Sequence, residues 1–236
     1  MSRRPQPRTV LTVVAACAFA VVVLLGFHLH TPPDSSPHET YISRPVDETG
    51  AINRVAGVYL NYRLYDTLIE ILVFFVAVLG VRHYLSTREH TTVPSLAESE
   101  VVRASSSLLF PLAVLLGVYL VGLGHLSPGG GFGAGVIVAS GALLVSISLG
   151  VETLERRVPL GAVERIEQGA LLLVLISALV PWAAGRIPLT DLLPKGKPGQ
   201  LLSGGMIPVY NALVGLKVLA GSWLILRSFV RHRGEI

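Results

Sequence analysis

The stretch Asn61-Tyr62-Arg63-Leu64-Tyr65-Asp66-Thr67-Leu68-Ile69-Glu70 runs, without a turn residue, into the apolar segment Ile71 to Val81. It is too apolar for a solvated loop and too charged for a passive membrane anchor. As one helix, offsets of three and four residues put Arg63, Asp66 and Glu70 on a single stripe. An ionised side chain near the bilayer centre is penalised by roughly 2.5–3.5 kcal/mol on insertion scales, so this stripe needs partners or water rather than lipid. Arg63 can partner Asp66, which leaves Glu70 deepest. The alternative is that Arg63 and Asp66 sit at the outer interface, snorkelling beside Tyr59, Tyr62 and Tyr65 in an aromatic belt.

The surrounding chain has the composition such a helix requires. Its 236 residues are 51% hydrophobic and only 14% charged, where a soluble domain carries about 25% charged residues. The expected fold class is therefore all-α, a polytopic membrane protein with about six transmembrane helices. The formal charge of +4 does not point to nucleic acid, because the basic residues are scattered at the ends of apolar runs, where membrane topology explains them. A single cysteine excludes an internal disulfide and a Cys-based metal site. No catalytic or metal-ligating constellation is read.

Arg3, Arg4 and Arg8 precede an apolar run from Thr9 to Phe27, longer than the ~7–15 residues of a signal-peptide core. Residues 1–28 thus read as an uncleaved N-terminal transmembrane helix. Val14-Ala15-Ala16-Cys17 resembles a lipoprotein cleavage site, but mostly apolar residues continue beyond Cys17, which favours a packing role for it. Residues 29–53, with Pro32, Pro33, Pro37 and Pro45, read as a non-helical external loop. A second transmembrane helix covers 54–85, a cytoplasmic linker 86–104, and a four-helix membrane domain 105–236. Its spans are expected at about Ser105 to Gly124, from the glycine-rich connection to Val151, Ala162 to Ala184, and Met206 to Val230. Glu152 to Gly161 is a polar link, and Gly185 to Gly205 a second external loop. Most of the 19 Lys and Arg residues fall on the side of the termini, which the charge bias places in the cytoplasm.

Within the last domain, Gly131 and Gly135 have the small-xxx-small spacing of closely packed spans, and no Lys-Ser or Lys-Thr follows these glycines to make a nucleotide loop. His125 ends the third helix beside a kink at Pro128; it can relay protons near neutral pH or simply bond a loop carbonyl. Lys217 lies mid-helix, with Asn211 on nearly the same face. Its ammonium needs a carboxylate, a carbonyl cluster or water, and Glu70, at similar depth, is expected to belong with it to one polar track across the membrane plane, directly or through a neighbouring subunit. Glu164 and Glu167, near the start of the fifth helix, read as N-terminal capping acids. A serine-protease reading of Ser140 with His125 fails because the two lie at opposite ends of neighbouring spans.

Gly124-His125-x-x-Pro128-Gly129-Gly130-Gly131-Phe132, followed by Asn211-x-x-x-Gly215-x-Lys217, resembles the B subunit of multisubunit Na+/H+ antiporters of the Mrp (Mnh) type, over about residues 103 to 230. Tyr62-Arg63-x-Tyr65-Asp66-Thr67-Leu68-x-Glu70-Ile71 resembles the C-terminal part of the large A subunit of that system, which in membrane-bound hydrogenases corresponds to a small separate subunit. The sequence departs from that pattern at Leu64 and Ile69, where glycine is usual. The resemblance implies a fused subunit of a secondary transporter, or of a hydrogenase-like redox complex, rather than an enzyme by itself. It implies the other subunits of such a complex as partners, within a lipid bilayer and without nucleic acid. It implies no resident cofactor, with Na+ and H+ as transported ions. Carried over by position, Asp66 and Glu70 form the acidic pair of the ion path, Arg63 their counter-charge, and His125 and Lys217 the polar residues of the B-type domain. Pro128, Gly129, Gly130, Gly131, Phe132, Gly135, Asn211 and Gly215 make up the structural motif.

Overall fold

The computed structural model describes residues 41, 42, 44–86, 100–186 and 188–232, with a few helical positions between 14 and 25. The expected first span, Thr9 to Phe27, and most of the linker 86–104 lie outside the described residues, although Ala18 packs on the main core. Among the described residues every regular element is helical, and five helices are long and apolar enough to cross a membrane.

α1 (Pro45–Thr49) lies inside the segment expected to be non-helical. Pro45 sits at the first helical turn, where its missing N–H is no loss, and Gly50 ends the helix at φ 75°. Asn53 then caps α2 (Arg54–Gly57), its side-chain oxygen accepting from the amides of Val55 and Ala56 at 3.1 and 3.3 Å. The chain widens into one π-helical turn over Val58–Tyr62, breaks at Arg63 (φ −118°, ψ 31°) and resumes as α3 (Leu64–Ser86). A π turn shifts the register of backbone bonds, and the Thr67 hydroxyl donates to the Tyr59 carbonyl at 2.6 Å across the break. The expected continuous helix from Arg54 is thus two helices joined by a bulge.

The remaining elements are α4 (Glu100–Gly122), α5 (Gly131–Leu149), α6 (Val151–Arg157), α7 (Leu160–Ala183) and α8 (Ile207–Arg231). α4 begins within the stretch expected to be linker, and α6 is a short helix in the expected polar link. The central element is α8, which packs against α3, α4, α5 and α7, while α4 and α5 form an antiparallel pair. Leu64, Leu68, Ile71 and Phe75 form a buried stripe on α3, at the three- and four-residue spacing of one helix face. It meets Leu171, Val174, Leu175 and Ala178 of α7, and Tyr210, Val214 and Val218 of α8. A second cluster of Val78, Ala142, Val163, Ala220, Trp223 and Leu224 closes the end where α8 finishes. The packing of α5 on α8 depends on missing side chains. A Cβ on Gly131 would strike the Asn211 carbonyl and approach the Gly215 amide to 2.7 Å, and one on Gly135 would meet Gly215 O and Leu219 N, both at 2.7 Å.

Candidate functional site

Lys217 is the eleventh residue of the 25 in α8, close to the middle of the span. Its side chain is 1% exposed and pairs with Glu167 of α7, itself 3% exposed. The rings of Phe74 and Phe75 on α3 lie 5.1 and 5.0 Å from the ammonium, within the ~6 Å at which a ring face attracts a cation. The ammonium therefore has a carboxylate on one side and two π faces on the other. Three residues from Glu167, on the same face of α7, Glu164 pairs with Arg82 of α3, the carboxylate 2% and the guanidinium 27% exposed. Beyond them, towards the end of α8, Glu155 of α6 accepts from both Arg227 and Arg231. Charged pairs thus extend from mid-span to the end of the bundle where α3 and α8 finish.

This arrangement corrects two expectations. Within the chain Lys217 pairs with Glu167 and Glu70 is exposed, so the track does not join Lys217 to Glu70 directly and only its form through a neighbouring subunit is left. Glu164 and Glu167 do not cap α7, because that helix begins at Leu160, which carries both carboxylates beyond the first turn and into the core. The signal for Glu167 was available in the sequence. A carboxylate is one of the partners a mid-span lysine can take, and an acid repeated at i, i+3 on another span is a source of one.

The other end of the bundle is held mainly by hydrogen bonds from amide, hydroxyl and backbone groups. Asn211 is fully buried, its side-chain oxygen accepting from the Tyr59 hydroxyl and the Gly131 amide, each at 3.1 Å. Gly130, at φ 146°, lies where a Cβ would meet the Tyr59 hydroxyl at 2.5 Å. Asn53 donates to the carbonyls of Gly124 and Ser127 at 2.7 and 2.9 Å, so the helix bearing the Arg63 stripe is fastened to the glycine-rich connection. His125 is buried, with Nε2 3.1 Å from the Leu201 carbonyl and Nδ1 without a partner. Pro128 and Gly129 are exposed, Gly215 is buried, and Phe132 packs on the main core. Asp191, in the loop before α8, accepts from Asn61 at 2.9 Å and from the Met206 amide at 3.2 Å.

Arg63 pairs with Asp66 on an accessible face, the two side chains 56% and 44% exposed. Glu70 follows one turn further along that face and is also exposed. The predicted residues therefore separate into three places: an outward acidic face on α3, the buried Lys217, and His125 in the loop region. Among the described residues no three His, Cys, Asp or Glu side chains converge to hold a metal ion.

A bundle of five long apolar helices closed around a buried Lys–Glu pair is the architecture of a multi-pass membrane protein. Residues 101–224 match the family model for the domain related to MnhB subunit of Na+/H+ antiporter, and the chain belongs to that family. An uncharacterized protein of Methanocaldococcus jannaschii is 33% identical over 199 residues, 72% of this chain and 73% of its own length. Among solved structures, a chain of the membrane-bound sulfane sulfur reductase, an archaeal respiratory membrane complex, superposes with a TM-score of 0.72 at 29% identity, covering 97% of this chain and 100% of that one. A chain of the Mrp complex from a Dietzia species shares the fold, with a TM-score of 0.68 at 24% identity, over 100% of this chain and 27% of that longer one.

Proposed function

We propose that this chain is a membrane subunit of a multisubunit monovalent cation (Na+)/proton antiporter, or of a related ion-translocating redox complex, and that it supplies part of the ion pathway. The observation carrying this reading is the Lys217–Glu167 pair at mid-span, continued on the same face of α7 by Glu164 with Arg82. Charges are costly at that depth, and a carboxylate beside an ammonium is a place where one proton can be held by either group. Asp66 and Glu70, with Arg63 as counter-charge, offer a second acidic station on the outward face of α3, completed by a neighbouring subunit. His125 borders the end of the path opposite the Arg82–Glu164 pair.

A second reading is favoured by the enclosure of the pair. With Phe74 and Phe75 over the ammonium, it could act only as a lock between α7 and α8 in a structural or assembly subunit. Sodium-dependent ΔpH in vesicles containing the intact complex separates the two. Glu167→Gln and the volume-conserving pair Lys217→Met with Glu167→Met are expected to reduce exchange at least tenfold while the complex still copurifies. Undiminished exchange in the double variant would leave only the structural reading.

On the same reading the chain lies in a cell (inner) membrane with its termini in the cytoplasm. In support, Arg82, Arg156, Arg157, Arg227 and Arg231 gather at the end where α3 and α8 finish, the sense of the positive-inside bias. A reporter fused at the C-terminus is expected to be active only in the cytoplasmic compartment.

A further inference from the structure

The end of the bundle where α3 and α8 finish and α7 begins holds a half-open cavity of about 500 Å³. Arg82, His83, Arg227, Ser228, Arg231 and His232 form its polar wall, and no acidic side chain among the described residues lines it. Glu155 and Glu164 hold the arginines in place without being part of that lining. Each guanidinium carries five N–H donors, and Arg82, Arg227 and Arg231 each give one to a carboxylate. Among the described residues the Nε of Arg231 is buried without an acceptor. Three arginines therefore meet at a cavity whose described lining offers no carboxylate.

The charge has a simpler explanation in part. Cations are favoured at helix C-termini, and α3 and α8 both end here. That accounts for basic residues, but not for their meeting around a cavity whose remaining wall is Leu79, Leu85 and Leu160. Leu79 lies seven residues before the end of α3, about 10 Å inward along the helix axis, at the depth of acyl chains rather than headgroups.

We propose that this cavity binds the phosphate of an anionic membrane lipid. The guanidinium groups take the phosphate oxygens, a geometry to which arginine is suited, and the leucines take the first methylenes below the headgroup. Basic pockets between spans at the membrane surface are the chemistry by which acidic lipids are recognised. A free phosphate would use the arginines and leave the leucine wall without a role.

The test uses the full chain in nanodiscs of mixed phosphatidylglycerol and phosphatidylcholine. Phosphatidylglycerol is expected to be retained about tenfold over phosphatidylcholine in native mass spectrometry. A photoactivatable phosphatidylglycerol is expected to crosslink to residues 79–85 and 227–232, and millimolar inorganic phosphate to leave that labelling in place. Arg227→Gln with Arg231→Gln should lower retention about tenfold; because it also strips Glu155 of partners, the wild-type crosslinking map decides if that variant misfolds. Equal retention of the two lipids, or labelling confined to other helices, would overturn the proposal. Loss of labelling in phosphate would show a free-anion site and overturn the lipid assignment.

Discussion

At the scale of single residues, Lys217 and Gly131 are the positions where one atom group decides most. Removing one member of a buried ion pair leaves an uncompensated charge and typically costs about 3–5 kcal/mol, whereas replacing both with apolar groups of similar volume is often neutral or stabilising. Lys217 and Glu167 are 1% and 3% exposed, so Lys217→Met alone is expected to lower the melting temperature of the purified chain sharply. Adding Glu167→Met should restore most of it; additive losses would mean that the pair is hydrated and not dry. At Gly131 the atoms facing an added methyl are the backbone of α8, which cannot rotate away as a side chain can. Gly131→Ala is expected to cost about 1–3 kcal/mol by overpacking. Gly133→Ala, where a Cβ would meet nothing within 4 Å, should be neutral or slightly stabilising, and thermal unfolding of the two variants side by side checks the contrast.

At the scale of elements, the connection between Asn53 and the α4–α5 turn is the feature that joins the two parts of the chain. Its side chain caps α2 and also satisfies two carbonyls of the glycine-rich connection. Asn53→Ala removes the cap and leaves those acceptors unmatched, a combined loss of about 1–3 kcal/mol. Amide exchange is expected to rise together in residues 54–57 and 123–131, and a rise in only one of them would show that the link does not couple them. Why a sequence reading reached the spans but not this link is physical. Long apolar runs such as those of α5, α7 and α8 announce their own ends, because polar or turn residues flank them. The π turn over Val58–Tyr62 inserts no breaker residue and leaves the hydrophobic pattern on both sides intact, so Arg54 to Tyr84 looked like one helix. The capping assignment of Glu164 and Glu167 followed from placing the start of α7 at Ala162. The start at Leu160 puts Glu164 past the first turn, Glu167 lies beyond it from either start, and only knowledge of the neighbouring helices identifies Arg82 and Lys217 as their partners.

At the scale of the whole molecule, the outward faces are as informative as the core. Only 11% of the α4 span and 33% of the α3 span are buried, against 50% for α8, so α3 and α4 give most of their surface to whatever surrounds the bundle. On α3 that surface is not uniformly fit for lipid. Ile69, Val73 and Val76 are exposed, but Glu70 lies among them, with the Arg63–Asp66 pair at its outer edge. A carboxylate facing acyl chains carries a penalty of roughly 2.5–3.5 kcal/mol, falling only if it reaches water or a polar group of another protein. If that face met lipid, Glu70→Leu would stabilise the chain and leave its assembly unchanged. The proposed complex membership argues the other way, since a chain 29% identical to this one is part of an archaeal respiratory membrane complex. Glu70→Leu is therefore expected to reduce copurification of the other subunits, while the melting temperature of the isolated chain stays level or rises. Glu70→Gln retains hydrogen bonding at the same length and should preserve assembly while altering ion exchange. A leucine variant that both assembles and exchanges ions normally would show that the α3 face has no polar partner, and would remove Asp66 and Glu70 from the proposed path.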